Sequence, residues 1–352
     1  MSDLPTTAQR RCAATVVARL SPAQKVGQLV LVGLKATTSP TALDPVLADS
    51  RVSGVFYLGS WTAARSRSAI AHLHAELGDG IPLLIAADQE GGKIQRLTGP
   101  GLATMPSAVV QGGLDPQTLR ADATTWARQL TAAGVDVDLA PVSDTVPTDA
   151  VNAPIGSLDR ELGHDPATVA SHVAALVSGL QAGGVAATVK HFPGLGRVRN
   201  NTDTSATGIT DTVTTVDDAY LAPFATGVDG GVGMVMVSLA TYTRIDAASP
   251  AVFSGQVIEA MLRDRLGFTG VVVSDDLDAK ALTSVPVADR AWRFVQAGGD
   301  LALVSHPADV APMTTALLDK MAGSTALTQA VTQAAQRVVA LKVRLGLVRC
   351  TG

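Results

Sequence analysis

The 352-residue chain is poor in cysteine, in aromatic residues, in long apolar runs and in net charge of either sign. Its two cysteines, Cys12 and Cys350, stand at opposite ends. That count excludes a disulfide-rich scaffold and a cysteine-based zinc site. Two readings of the pair stay open: one bridge joining the ends, which would favour an exported protein, or two separate thiols in a cytoplasmic one. The chain starts without a charged, then apolar, then small leader, so export is expected only after removal of such a segment. The apolar run Leu29 to Leu34 already contains Gly33 and falls far short of the roughly 20 residues a membrane span requires. With 27 Lys+Arg against 31 Asp+Glu the net charge is −4, and no basic cluster offers a surface to nucleic acid or to anionic lipid.

Short apolar runs, often β-branched, alternate with longer amphipathic stretches. The strand candidates are Gln28–Leu34, Gly54–Leu58, Leu83–Ala87, Asp136–Ala140, Ala186–Val189, Gly233–Ser238, Gly270–Ser274 and Asp300–Val304. Runs of this kind suit strands buried on both faces. Helix-like stretches between them include Ala63–Leu77, Pro116–Ala133, Pro166–Gly183, Val216–Val228 and Gly255–Leu266. Eight such runs alternating with helices predict an α/β fold, a single (β/α)8 barrel of the TIM type. An open doubly wound sheet is the competing architecture, but no glycine-rich dinucleotide turn follows the first strand. No linker, repeat or low-complexity tract divides the chain, so residues 1–352 are expected to form one domain with a core from about residue 20 to 345. The stretch Ala326–Leu345 reads as one helix that closes the barrel or packs beneath it.

Chemistry in such a barrel sits at the C-terminal ends of the strands. Four of those ends carry polar clusters: Asp88-Gln89-Glu90-Gly91-Gly92-Lys93, Ser143-Asp144, Lys190-His191-Phe192-Pro193-Gly194 and Asp275-Asp276-Leu277-Asp278. Structural polar residues have no reason to collect on one rim, so the pattern favours an enzyme. Lys190 suits either a Schiff base or donation of hydrogen bonds to a polyol, and the adjacent His191 favours the second. Taken alone, His191 would fit a satisfied core histidine. Asp275 and Asp276 could hold a cation, but hard cations need several oxygen ligands. Of His72, His74, His164, His172, His191 and His306, only His191 falls at a motif strand end, so no metal is expected. Carboxylates at a barrel mouth suit glycoside hydrolysis, with one carboxylate as nucleophile and another group as acid.

At these motifs the chain resembles glycoside hydrolase family 3, and within it the single-domain β-N-acetylglucosaminidases, from about Leu20 to about Leu345. The resemblance implies that Asp88, Arg160, Lys190 and His191 bind sugar hydroxyls and that Asp275, in Ser274-Asp275-Asp276-Leu277, is the nucleophile of a retaining mechanism without a cofactor. Arg160 comes from Ile155-Gly156 followed by Arg160-Glu161-Leu162-Gly163, and Lys93 stands where the family usually has arginine. Backbone N–H groups or Lys190 are expected to keep the Asp275 pKa low.

The sequence departs from the family at the acid. Such enzymes follow Lys-His-Phe-Pro-Gly with a loop ending in Asp-Ser-His or Asp-Thr-His, whose histidine is the acid/base. Here the loop reads Asp203-Thr204-Ser205, and a serine hydroxyl is a poor proton donor near neutral pH. Asp203 is the substitute acid/base candidate, with Glu161 the alternative; the related two-domain glucosidases take theirs from a second domain. Arg197 and Arg199 in the same loop read either as solvated charges or as contacts to an anionic aglycone. Leu239 stands where many members have histidine. The expected substrate is an amino sugar or muropeptide carrying terminal β-linked N-acetylglucosamine, met by a monomer. Two alternatives are a sugar-binding pseudoenzyme, motivated by Ser205, and a Schiff-base enzyme built on Lys190.

Overall fold

The computed structural model describes residues 2–78 and 80–350. Eight strands form the barrel: β1 Val30–Lys35, β2 Gly54–Leu58, β3 Leu84–Ala87, β4 Val137–Asp138, β5 Ala186–Phe192, β6 Met234–Val237, β7 Val271–Ser274 and β8 Ala302–Val304. Each neighbours the next in chain order, β8 returns to β1, and every ladder is parallel. The seam between β7 and β8 is the thinnest, a single bridge from Val273 to Leu301 with the Ser274 N–H donating to Leu301 O at 3.0 Å.

Both faces of the strands are buried, which is why they read as continuous apolar runs. Inward residues Leu31, Phe56, Leu84, Ala86, Val137, Met234, Val271, Val273 and Leu303 fill the barrel. Alternate residues such as Val32, Val55, Ile85, Val189, Val235 and Val272 pack outward beneath the helices. The C-terminal helix Thr325–Arg344 adds Val338 and Leu341 to the inner cluster. Leu341 lies against Gly233 at the start of β6, so this helix closes the lower end of the barrel, as its sequence suggested.

Helix starts follow local chemistry. Asp115 accepts from Gln117 and Thr118 N–H ahead of Pro116–Ala132, and Asp165 does the same for Ala167 and Thr168 ahead of Pro166–Gly183. Each puts a proline at the first helical position, where its missing N–H costs nothing. The expected helix Val216–Val228 shortens to Ala222–Asp229 behind a 3-10 turn at Ala219–Leu221. Asp218 caps that turn through Tyr220 N–H, and Pro223 is tolerated because it falls in the first turn of the shortened helix. The stretch expected at Gly255–Leu266 is a π-helix, Gln256–Arg265.

An N-terminal helix, Thr7–Ala18, opens on a capping box between Thr6 and Gln9. Its Ala13 and Val17 pack on Val331, Ala334 and Ala335 of the C-terminal helix. Cys12 on it is bonded to Cys350, with the Cα atoms 5.9 Å apart. Of the two readings of the cysteine pair, the bridge is the one the structure contains. Among the described residues no helix is long and apolar enough to cross a membrane.

Candidate active site

A cavity of about 160 Å³ opens at the C-terminal ends of the strands. Asp88, Glu90, Arg96, Arg160, Lys190, His191, Asp203, Asp275 and Asp276 line it, over an apolar floor of Phe56, Leu139, Met236 and Leu303. All six residues picked from the sequence (Asp88, Arg160, Lys190, His191, Asp203 and Asp275) therefore face one space.

The Asp88 loop leaves β3 and turns back as a two-stranded hairpin, Gln89–Gly91 with Ile94–Gln95. Gln89 holds it from within, donating to Leu97 O and accepting from Leu97 N–H. Gly91 is obligatory at the bend: its φ is +95°, and a Cβ would come 2.2 Å from Pro106 O.

Lys190 and His191 lie within β5 rather than after it, because the strand runs on to pair Phe192 with Val237. The register shifts between Val189 and Phe192, and such an irregularity re-aims side chains that strict alternation would send to opposite faces. Lys190 is buried and sits 2.7 Å from Asp88 and 2.6 Å from Glu90. Burial opposes its charge, but these two carboxylates outweigh burial and raise its pKa above the usual lysine value. A lysine so held stays an ammonium, which removes the Schiff-base reading: the nucleophile there must be the free amine.

Arg160 follows the 3-10 turn Gly156–Leu158 and grips Glu90 with two contacts of 2.7 Å, the planar fork geometry that suits arginine. Burial would raise the Glu90 pKa, yet Arg160 and Lys190 hold it well below the ordinary carboxylate range. His191 donates from Nδ1 to Asp144 Oδ2 at 2.7 Å, which leaves Nε2 toward Arg160, 3.4 Å away. Asp144 also accepts from the N–H groups of His191 and Leu195. Asp144 and Glu90 were visible as strand-end carboxylates, but nothing in the sequence marked them as the partners that orient His191, Arg160 and Lys190.

Asn152 gave no signal at all, since a lone asparagine in a loop has no pattern. It is buried and donates to Leu195 O and Val198 O while accepting from Ile155 and Gly156 N–H. It thus ties the Arg160 loop to the start of the loop that bears Asp203.

Asp275 directly follows β7, its Oδ1 accepting from the Asp276 N–H at 2.8 Å. Contrary to the expectation of a low value, its pKa is raised. Burial is the main cause and Asp203 adds to it, while His191 and Lys190 pull only part of the way back. Asp203 is raised as well, by burial of its carboxyl against the pocket and by Asp276, with Arg160 and His191 opposing. Its loop is fastened to the segment after β7 by the Ala281 N–H bonding Thr202 O at 2.9 Å.

Two further expectations change, those for Glu161 and Arg197. Glu161 is buried but does not line the cavity, so it is not positioned as the acid. Arg197 is committed to Asp218 at 2.6 Å and lies over the Tyr220 ring, so it is neither a solvated charge nor an aglycone contact; Arg199 is exposed outside the cavity lining. Ser205 is outside that lining too, its hydroxyl donating to Thr207 O within its own turn. Among the described residues, two carboxylate–histidine groups lie close enough to converge on one ion, Asp44 with His72 and Glu76, and Asp278 with His306 and Asp309. In each the histidine already meets an aspartate, at 2.8 and 3.3 Å, and that polar contact accounts for the grouping.

A model of the glycosyl hydrolase family 3 N-terminal domain matches residues 22–341. The chain belongs to glycoside hydrolase family 3. It is 35% identical over 309 residues to a beta-hexosaminidase of Xylella fastidiosa (strain M23), covering 85% of this chain and 90% of that protein. The crystal structure of a beta-N-acetylhexosaminidase from Beutenbergia cavernae DSM 12333 superposes with a TM-score of 0.88 at 45% identity, covering 93% of this chain and 99% of that one. A family 3 beta-N-acetylglucosaminidase from Paenibacillus sp. str. FPU-7 gives a TM-score of 0.85 at 30% identity over 95% of this chain and 64% of that one. The protein is accordingly an enzyme, a glycosidase on a (β/α)8 barrel.

Proposed function

We propose that the cavity releases terminal β-linked N-acetylglucosamine, from cell-wall fragments, by a two-step retaining route. The observation that carries this reading is the presence of two carboxyl groups, Asp275 and Asp203, in one pocket whose remaining polar lining is built to hold hydroxyls. Asp275 attacks the anomeric carbon as the bond to the leaving oxygen breaks, and Asp203 delivers its proton to that oxygen. Water then attacks the same carbon, gives a proton to Asp203, and frees Asp275. Burial raises both carboxyls; Lys190 and His191 pull Asp275 back toward its charged form, and Arg160 and His191 oppose the rise that Asp276 and Asp88 add at Asp203, so the roles are assigned from the resemblance rather than from these shifts. Asp88, Arg160, Lys190 and His191 bind the sugar, and the beta-hexosaminidase names of the relatives point to the amino sugar. The barrel is taken to act as a monomer, and its Cys12–Cys350 bond supports an oxidising compartment outside the cytoplasm.

Release of an activated aryl group from its β-N-acetylglucosaminide tests the nucleophile apart from the acid, because such a leaving group needs little protonation. Asp275→Ala should abolish turnover while leaving the fold intact. Absence of turnover in the folded wild type would overturn the hydrolytic reading in favour of a sugar-binding pseudoenzyme, for which the bound-up Ser205 hydroxyl is the motivating feature.

A further inference from the structure

The loop that carries Asp203 is held from outside the cavity. Asn201 closes a tight turn in it, accepting from Asp203 N–H at 2.8 Å on its side chain and from Ser205 N–H at 3.0 Å on its carbonyl. That turn is self-contained and does not fix where the loop sits. Among the described residues, two hydrogen bonds join residues 201–205 to another part of the chain. Ala281 N–H donates to Thr202 O at 2.9 Å, and Lys280 N–H donates to Asp203 O at 3.4 Å. Both donors belong to the 3-10 turn Lys280–Leu282, and Thr202 is buried where it lines the cavity.

One buried side chain gathers the segment that contains this 3-10 turn. Arg290, 7% exposed, lies near the start of the helix Val287–Gln296, and helical side chains point back toward the helix N-terminus. It therefore reaches the stretch just before its own helix. Nε donates to Val285 O at 3.0 Å, and the terminal nitrogens donate to Leu277 O at 2.8 Å and Leu282 O at 3.2 Å. The nucleophile has separate supports. Asp275 N–H donates to Val237 O and Leu277 N–H to Leu303 O, both at 2.9 Å, from the strands on either side.

We propose that Arg290 is a positioning residue for the acid, fixing the Lys280–Leu282 turn where its N–H groups keep Asp203 in the lining of the cavity. This rests on the reading of Asp203 as the proton donor. A guanidinium serves three carbonyls at once because its N–H donors form a rigid fork, and a lysine ammonium, a compact point of charge, does not span them. Arg290→Lys therefore keeps the charge beside Asp278, 3.8 Å away, but loosens the turn.

The test is kcat/KM for Arg290→Lys on two β-N-acetylglucosaminides, one with a nitrophenyl and one with an alkyl leaving group. Only the alkyl group needs the acid, so a displaced Asp203 should cost that substrate about 10- to 100-fold more than the nitrophenyl one. Equal losses on both would overturn the proposal and leave Arg290 a support of the fold. If Arg290→Lys does not fold, Lys280→Pro cuts the link from the other side. Ala279 is extended and Lys280 opens the 3-10 turn, so proline fits there and removes the N–H that bonds Asp203 O. Lys280→Ala keeps that N–H and corrects for the lost side chain. Measured against it, a selective alkyl loss supports the proposal, and no selective loss overturns it. Asp203→Ala on the same substrates separates this proposal from the reading beneath it. Without a selective loss there, the assignment of Asp203 falls and Arg290 with it. A selective loss in Asp203→Ala but not in Arg290→Lys overturns the role of Arg290 alone.

Discussion

Glu90→Gln removes one charge from the most heavily paired point of the cavity without changing its shape. Glu90 is 6% exposed and binds Arg160 through both oxygens at 2.7 Å and Lys190 at 2.6 Å. The variant leaves Arg160 and Lys190 without their shared carboxylate, and of the two only Lys190 keeps a close carboxylate partner, Asp88 at 2.7 Å. Breaking a buried pair by removing one partner costs about 3–5 kcal/mol. Asp88 compensates in part, so the expected loss is about 3 kcal/mol by urea unfolding at pH 7. The pH dependence has a definite sign. Arg160 and Lys190 overcome the burial that would raise Glu90, so its folded pKa lies below the unfolded value of 4.5. The stabilisation is fully present above pH 4.5 and declines as the solution is acidified, so the gap between wild type and variant should shrink by about 1.4 kcal/mol per pH unit below that point. Turnover should show a raised KM, because Arg160 and Lys190 lose their common anchor. A loss under 1 kcal/mol, or a gap that stays constant from pH 5 to pH 3, would refute the argument.

The lower end of the barrel gives a contrasting case. Lys342 is fully buried, donates to Gln28 at 2.9 Å, and burial lowers its pKa to about 7 despite the attraction of Asp136. The unfolded chain binds that proton more tightly, so wild-type stability should rise from pH 7 to about 10.5, and Lys342→Met should stabilise the protein by about 1–4 kcal/mol at pH 7. A destabilised variant in thermal unfolding would count against this account. The Cys12–Cys350 bond closes a sequence separation of 338 residues, and Cys12→Ser with Cys350→Ser should cost about 2–4 kcal/mol in unfolding while leaving kcat/KM unchanged, because the bond ties the N-terminal helix to the segment after the C-terminal helix and neither cysteine lines the cavity. An altered kcat/KM in the folded double variant would contradict that separation of stability from catalysis.

The sequence by itself determined the barrel and much of its rim. Runs such as Gly54–Leu58 and Val271–Ser274 are buried on both faces, and residues buried that way must be apolar throughout, which a linear reading detects. The same logic placed Asp88, Lys190, His191 and Asp275 at strand ends, since a polar residue directly after such a run has the mouth as its outlet. Boundaries were less legible, because they depend on which N–H groups find a partner. Lys190 and His191 belong to β5 only because β6 extends a ladder to Phe192.

Tertiary structure alone decided the electrostatics. Arg197 and Arg160 are both arginines in loops, yet one is spent on Asp218, 21 residues away, and the other on Glu90, 70 residues away. The direction of the Asp275 shift was likewise out of reach, because it depends on burial and on Asp203, 72 positions distant in the chain and in the same pocket. Charge interactions and desolvation act through space over a few ångströms, so the side chains are legible in the sequence, whereas what each one titrates against, and which loop it fastens, is set only when the barrel closes.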